Sequence, residues 1–180
     1  MEKHAAELLL QRMLGNTTAT FREGQWEAID AVVNQRRKLL VVQRTLGWGK
    51  RCCVLPSPSK IFRDRGAGPT IIISPLLALM RNQVAAAERL GITAETLNST
   101  NREEWQRISD KLLQGEVDCL LVSPERLANQ DFIETVLYPI ADRIGLLVVD
   151  EAHCISDWGH DFRPDYRRIL DILRQLPANT

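Results

Sequence analysis

Asp150 and Glu151 directly follow four apolar residues, Leu146 to Val149, and lie a few positions before His153, Trp158, His160, Phe162 and Arg163. Two adjacent carboxylates can hold a hydrated Mg²⁺ and orient or deprotonate an attacking water. Their setting makes that chemistry available. A continuous, partly β-branched run reads as a strand buried on both faces of a parallel sheet, and open α/β sheets bind ligands beyond the carboxyl ends of their strands. The loop that follows suits two roles equally: stacking on unpaired bases while binding phosphate, or packing as an aromatic loop whose histidines face carboxylates. A zinc reading of His153, Cys154 and His160 is poorer, because Cys154 adjoins His153 and no strand-held fourth ligand is in view.

A second constellation runs from Gln43 to Lys50 and contains Thr45, Gly47 and Gly49. Its glycines let backbone amides approach a phosphate, and Lys50 supplies a compact positive charge, so the turn resembles a Walker A loop. It departs from that pattern in three ways. Arg44 stands where the strict form has its first glycine, and Leu46 is an inserted residue. Arg51 occupies the position of the hydroxyl that ligates Mg²⁺, and a guanidinium has only donors. A phosphate loop also needs a helix after its lysine, and Pro56 and Pro58 fall beyond the first turn of any such helix, each costing about 3 kcal/mol in a helix interior. The spacing predicts a helix cut to little more than one turn, or an irregular segment. Read one base later, codons for Arg51 to Pro56 permit Ala-Ala-Val-Tyr-Phe, so a frame-shifted patch across Leu46 to Lys60 is a hypothesis that the coding DNA tests.

Smaller signals lie elsewhere. Gln25 opens a helix, either as a solvated helix-start residue or as a donor–acceptor pair for the edge of adenine. Ser74-Pro75 and Ser123-Pro124 each follow a strand and open a helix, either as caps or as amide-rich turns facing a polyanion, with Arg81 and Gln83 beside the first. Asn98-Ser-Thr100 reads as a helix cap or a backbone contact.

Elements must deliver these residues to one place. Apolar runs at Leu39–Val42, Thr70–Ile73, Thr93–Leu97, Val117–Val122 and Leu146–Val149 predict strands. Helical patterns at Glu2–Leu14, Glu23–Gln35, Leu77–Leu90, Arg102–Gln114, Asp131–Arg143 and Asp165–Gln175 separate or flank them. That alternation implies an α/β fold, with a parallel sheet of five or more strands covered by helices on both faces. The 180 residues suit one domain. No apolar run approaches the ~20 residues that span a bilayer, and Met1 to Leu14 reads as an amphipathic helix, not a secretion signal, which makes the cytoplasm the expected compartment. The 23 basic and 23 acidic residues cancel, so any nucleic-acid binding must come from a local surface. Cys52, Cys53, Cys119 and Cys154 lack the spacing of a zinc or redox motif and read as structural or incidental thiols.

Together, Phe21-Arg-Glu-Gly-Gln25, Ser74-Pro-Leu-Leu-Ala-Leu-Met80, Ser123-Pro-Glu-Arg-Leu127 and Asp150-Glu-Ala-His153 with its continuation to Tyr166 resemble the first RecA-like lobe of RecQ-family DNA helicases. The resemblance implies a RecA-like P-loop domain over residues 21–176, a lead-in helix over residues 1–20, and a chain that stops before the second lobe. It also implies ATP and Mg²⁺ as cofactors. Gln25 would read adenine, while Thr45, Gly47, Gly49 and Lys50 would bind phosphates. Asp150 would hold Mg²⁺ through water, Glu151 would activate the hydrolytic water, and His153 would relay the nucleotide state. Trp158, His160, Phe162 and Arg163 would form a loop coupled to DNA, with single-stranded or junction DNA crossing near Ser74, Arg81, Gln83 and Ser123. Arg51 and the lost hydroxyl leave two readings open: an impaired ATP-dependent helicase lobe, or an inactive nucleic-acid-binding remnant.

Overall fold

The spacing of apolar residues decides which face of each element is buried. In helix α1 (Lys3–Leu14) the buried residues Ala6, Leu10 and Met13 recur at helical intervals, and Gly15, at φ +63°, ends the helix by donating its N–H to Arg12 O. In α2 (Gln25–Val33) the buried positions are Gln25, Ile29 and Val33, and the preceding Gly24 sits at φ +78°, a conformation glycine adopts without strain. The computed structural model describes residues 1–42 and 56–155, together with Ile169, Ile172 and Arg174.

Four parallel strands form the sheet: β1 (Thr70–Ile73), β2 (Ala94–Leu97), β3 (Cys119–Val122) and β4 (Leu146–Val149), in the order β2-β3-β1-β4. Alternate side chains supply two cores. Ile71, Ile73, Leu120 and Val122 pack on one face against Ile108 and Leu112 of α5 (Trp105–Leu113) and against Phe132, Val136 and Ile140. Ile72, Cys119 and Leu121 pack on the other against Leu10 and Met13 of α1 and Met80 and Ala87 of α4 (Leu77–Arg89). Helices therefore cover both faces, as the alternation of runs predicts. Ile169 and Ile172 are helical, within the expected Asp165–Gln175 helix, and join the first core.

Three expectations are corrected. Leu39–Val42 is not a strand: Leu39, Leu40 and Val42 are 45%, 76% and 77% exposed, and among the described residues the sheet has four strands instead of five or more. Their run matches a buried strand in composition, but among the described residues β4 pairs only with β1 and no strand lies on its other side. The stretch expected as one helix at Asp131–Arg143 is an α-turn at Gln130–Phe132, a π-helical turn at Ile133–Leu137 and a 3₁₀ segment at Tyr138–Arg143. Pro139 lacks an N–H and its ring collides with an α-helical carbonyl four residues back, so the hydrogen-bond pattern shifts, with Tyr138 N–H donating to Ile133 O. Pro56 and Pro58 do not cut a helix short. They open α3 (Pro56–Asp64), where a first-turn N–H has no helical partner to lose.

Candidate functional site

Parallel register brings four chain exits to one edge. Ile73 lies beside both Val122 and Val149, and Leu97 lies beside Val122, so the next residues stand in the row Asn98, Ser123, Ser74, Asp150. The ladder extends one residue past the strands. Ser123 N–H donates to Leu97 O at 3.1 Å, Ser74 N–H to Val122 O at 3.1 Å and Asp150 N–H to Ile73 O at 2.8 Å. All four residues of the row are buried.

Asp150, 7% exposed, closes the row. The Ser74 hydroxyl donates to its Oδ2 at 3.4 Å, and Glu151 N–H donates to its Oδ1 at 3.0 Å. Glu151 then takes φ +53°, a left-handed conformation costing a non-glycine residue about 1–3 kcal/mol. That turn ends the strand and starts a 3₁₀ segment at Ala152–Ile155, with Cys154 N–H donating to Glu151 O at 2.9 Å. The Glu151 carboxylate lies 3.4 Å from His153 Nδ1, with the imidazole largely exposed. The two acids thus separate: one is fixed into the sheet edge, and the other is directed to a solvent-facing imidazole. Among the described residues there is no group of three or more His, Cys, Asp or Glu able to cage a metal. One positioned carboxylate at an open edge fits Mg²⁺, which keeps most of its waters and is held through one or two carboxylates plus phosphate.

The other expected site residues divide clearly. Gln25 is 4% exposed, with its Oε1 accepting Arg22 N–H at 2.8 Å. It is a buried helix-entrance residue, not a solvated one. Ser74 and Ser123 stand in the row, and Arg81 is exposed on α4. Gln83 is a correction: it is 5% exposed, with neither amide atom hydrogen-bonded, so it points into the core and does not face a polyanion. Asn98 makes a local turn, its Oδ1 accepting from both Thr100 N–H and Thr100 Oγ1. Thr45, Gly47, Gly49, Lys50, Leu46 and Arg51 lie outside the described residues, as do Trp158, His160, Phe162 and Arg163. The thiols Cys119 and Cys154 are free and buried; burial above all pushes the Cys119 thiol up to about 12, as expected of a packing thiol.

Two residues were not singled out from sequence. Trp105 and Arg102 join Arg126 at the β2 and β3 end of the same edge, where Arg126 Cζ lies 3.7 Å from the Trp105 ring centroid. A tryptophan three residues after an arginine on a helical pattern was the available signal. A cleft of about 400 Å³ lies at the opposite, amino edge, lined by Lys60, Arg63, Asp64 and Asp118 among others, away from Asp150.

Comparison with known proteins follows the same residues. A model of the DEAD/DEAH box helicase family matches residues 22–180. The chain is 42% identical over 175 residues to the ATP-dependent DNA helicase RecQ of Bacillus subtilis, covering 96% of this chain and 28% of that protein. It is 36% identical over 178 residues to the ATP-dependent DNA helicase RecQ of Haemophilus influenzae, covering 98% of this chain and 27% of that protein. It is 37% identical over 163 residues to the ATP-dependent DNA helicase Q-like 2 of Arabidopsis thaliana, covering 87% and 22%. The chain therefore spans less than a third of the length of these curated relatives.

Proposed function

This chain belongs to the DEAD/DEAH box helicase family as a RecQ-type lobe, and from that premise we propose that it binds Mg-ATP at the carboxyl edge of its sheet and single-stranded or junction DNA along the adjoining turns. The observation that carries this reading is the division of labour between the two acids. Asp150 is fixed by Ser74 and by Glu151 N–H, which orients a carboxylate toward a hydrated cation. Glu151, turned aside by its left-handed backbone and facing His153, is the base that takes a proton from the attacking water. Bound Mg²⁺ supplies neutralisation of phosphate charge. His153, next to both Glu151 and Cys154, relays the state of the site toward the loop that contains Trp158, His160, Phe162 and Arg163.

The remaining roles follow the matching motifs. Gln25 holds adenine, Thr45, Gly47, Gly49 and Lys50 hold phosphates, and Ser74, Arg81 and Ser123 lie along the DNA path. Residues 21–176 form the ATP-binding lobe, with residues 1–20 as its lead-in. Unwinding requires a second RecA-like lobe to close the nucleotide cleft. The expected setting is the cytoplasm.

Arg51 and Leu46 favour a second reading, a nucleic-acid-binding remnant that no longer takes nucleotide. Calorimetric titration with Mg-ATP separates the two. On the first reading Arg51→Ser strengthens Mg-dependent binding several-fold, since it restores a metal-ligating hydroxyl, while Asp150→Asn removes the Mg dependence. If neither wild type nor Arg51→Ser binds ATP while both bind single-stranded DNA, the remnant reading holds.

A further inference from the structure

Cations and carboxylates are matched unevenly over this molecule. On α3 and α5 the basic side chains are paired: Arg63 with Asp118 at 2.6 Å, Arg107 with Glu95 and Glu104 at 3.3 and 2.9 Å, Lys111 with Glu95 at 3.2 Å, and Lys60 with Asp64. At the exits of β2 and β3 two arginines meet rings instead. Arg126 Cζ lies 3.7 Å from the Trp105 centroid and 4.6 Å from that of Phe132, and Arg102 Cζ lies 5.6 Å from Trp105. Among the described residues no carboxylate is in ion-pair contact with either guanidinium. Arg126 Nε is buried without a hydrogen-bond partner, and burial foremost, with the charge of Arg102, lowers the Arg126 pKa against the opposing pull of Asp131.

The ring between them is pinned. Trp105 Nε1–H donates to Asn98 O at 2.9 Å, and Asn98 is the first residue of the row that ends at Asp150. The adjoining loop is braced as well, with Asn101 Nδ2 donating to Thr96 O at 2.7 Å. A guanidinium stacked on aromatic faces keeps its planar donor fork in a fixed orientation, which matches phosphate oxygens. Two such groups of like charge, with no carboxylate between them, are stabilised by an incoming anion. A face carrying Arg126 at contact distance is closed to a base, so Trp105 acts through the arginines and not by stacking on DNA itself.

We infer that Trp105 is a positioning residue for a two-arginine clamp, Arg102 and Arg126, that grips the phosphate backbone of single-stranded DNA at the β2–β3 end of the carboxyl edge. Strand spacing puts this clamp ~10 to ~14 Å from Asp150, so the strand and the nucleotide occupy opposite ends of one row. The inference rests on the DNA reading above and adds residues that no motif of the sequence assigns.

The test is binding of a labelled oligothymidylate by the full chain across a salt series. Arg102→Gln and Arg126→Gln each weaken binding several-fold at low salt and reduce the slope of log affinity against log salt by roughly 0.7, the value for one phosphate contact on a single strand. Trp105→Leu does the same, Trp105→Phe recovers most of the affinity, and adding Arg126→Gln to Trp105→Leu causes little further loss. Arg107→Gln, whose guanidinium is already paired, leaves the slope unchanged. Arg102 is exposed, so Arg102→Gln keeps the test decisive even if Trp105→Leu fails to fold. Wild-type binding with an unaltered slope in Arg102→Gln overturns the clamp and leaves the DNA reading standing. No oligonucleotide binding by the wild-type chain at low salt overturns both.

Discussion

Asp150 and Glu151 are joined by one peptide bond and have different partners. Asp150 accepts from Ser74 and from Glu151 N–H, whereas Glu151 faces His153 because its own φ of +53° turns the chain off the strand axis. The pair was legible as a metal-and-water site because carboxylates after an apolar run have few other uses at a sheet edge. The backbone turn that separates them was not, since a left-handed glutamate is held by its surroundings and leaves no mark on residue type. Gln83 illustrates the opposite case: its polarity suggested a surface contact, yet it lies on the buried face of α4. Ser57 is a second buried polar residue, 0% exposed with no partner for its hydroxyl, inside the Leu46–Lys60 patch whose composition departs from a normal post-loop helix. Ser59, equally buried, at least bonds the Cys119 thiol. Removing an unsatisfied buried hydroxyl relieves its desolvation penalty, so Ser57→Ala is expected to stabilise the fold by about 1 kcal/mol in urea unfolding. Destabilisation would mean that the hydroxyl has a partner in solution.

The strands that position the site were readable wherever burial on both faces leaves a continuous apolar run. Thr70–Ile73, Cys119–Val122 and Leu146–Val149 all pair in register, and the weaker Ala94–Leu97 run joins as the edge strand β2. Leu39–Val42 shows why the same pattern is insufficient: a strand also needs an edge to pair with, and no residue of the run encodes one. Asp131–Arg143 shows that helical periodicity survives changes in hydrogen-bond pattern, because Phe132, Val136 and Ile140 still face one core across α, π and 3₁₀ turns. The β1–β4 junction depends on a close approach that composition alone hides. Gly145 N–H donates to Pro69 O at 3.0 Å, and a Cβ on Gly68 would overlap the carbonyl of Arg143. Backbone cannot yield as a side-chain tip does, so Gly68→Ala should cost about 1–3 kcal/mol and loosen the strand that carries Asp150. Denaturant unfolding checks this, and a change within ~0.5 kcal/mol, as for ordinary surface substitutions, would contradict the packing.

Zero formal charge conceals a division along one edge of the whole molecule. Acids stand at the β1 and β4 exits, and ring-held arginines without carboxylate partners stand at the β2 and β3 exits. That arrangement suits a RecQ-type lobe in which nucleotide and nucleic acid are bound side by side on a single rigid sheet. Membership of the family was legible from motifs spread between Phe21 and Tyr166, and the match over residues 22–180 agrees with it. Whether the altered loop from Leu46 to Arg51 still admits nucleotide is the point on which the functional account turns. The most direct measurement is the melting temperature of this chain with and without saturating Mg-ATP, alongside single-stranded DNA and the Asp150→Asn variant. At a hundredfold excess over its dissociation constant, a ligand stabilises by about 2.7 kcal/mol, a rise of roughly 5–10 °C for a domain of this size. The account predicts such a rise with Mg-ATP, lost in Asp150→Asn; an unchanged melting temperature with Mg-ATP, while single-stranded DNA still raises it, would contradict it.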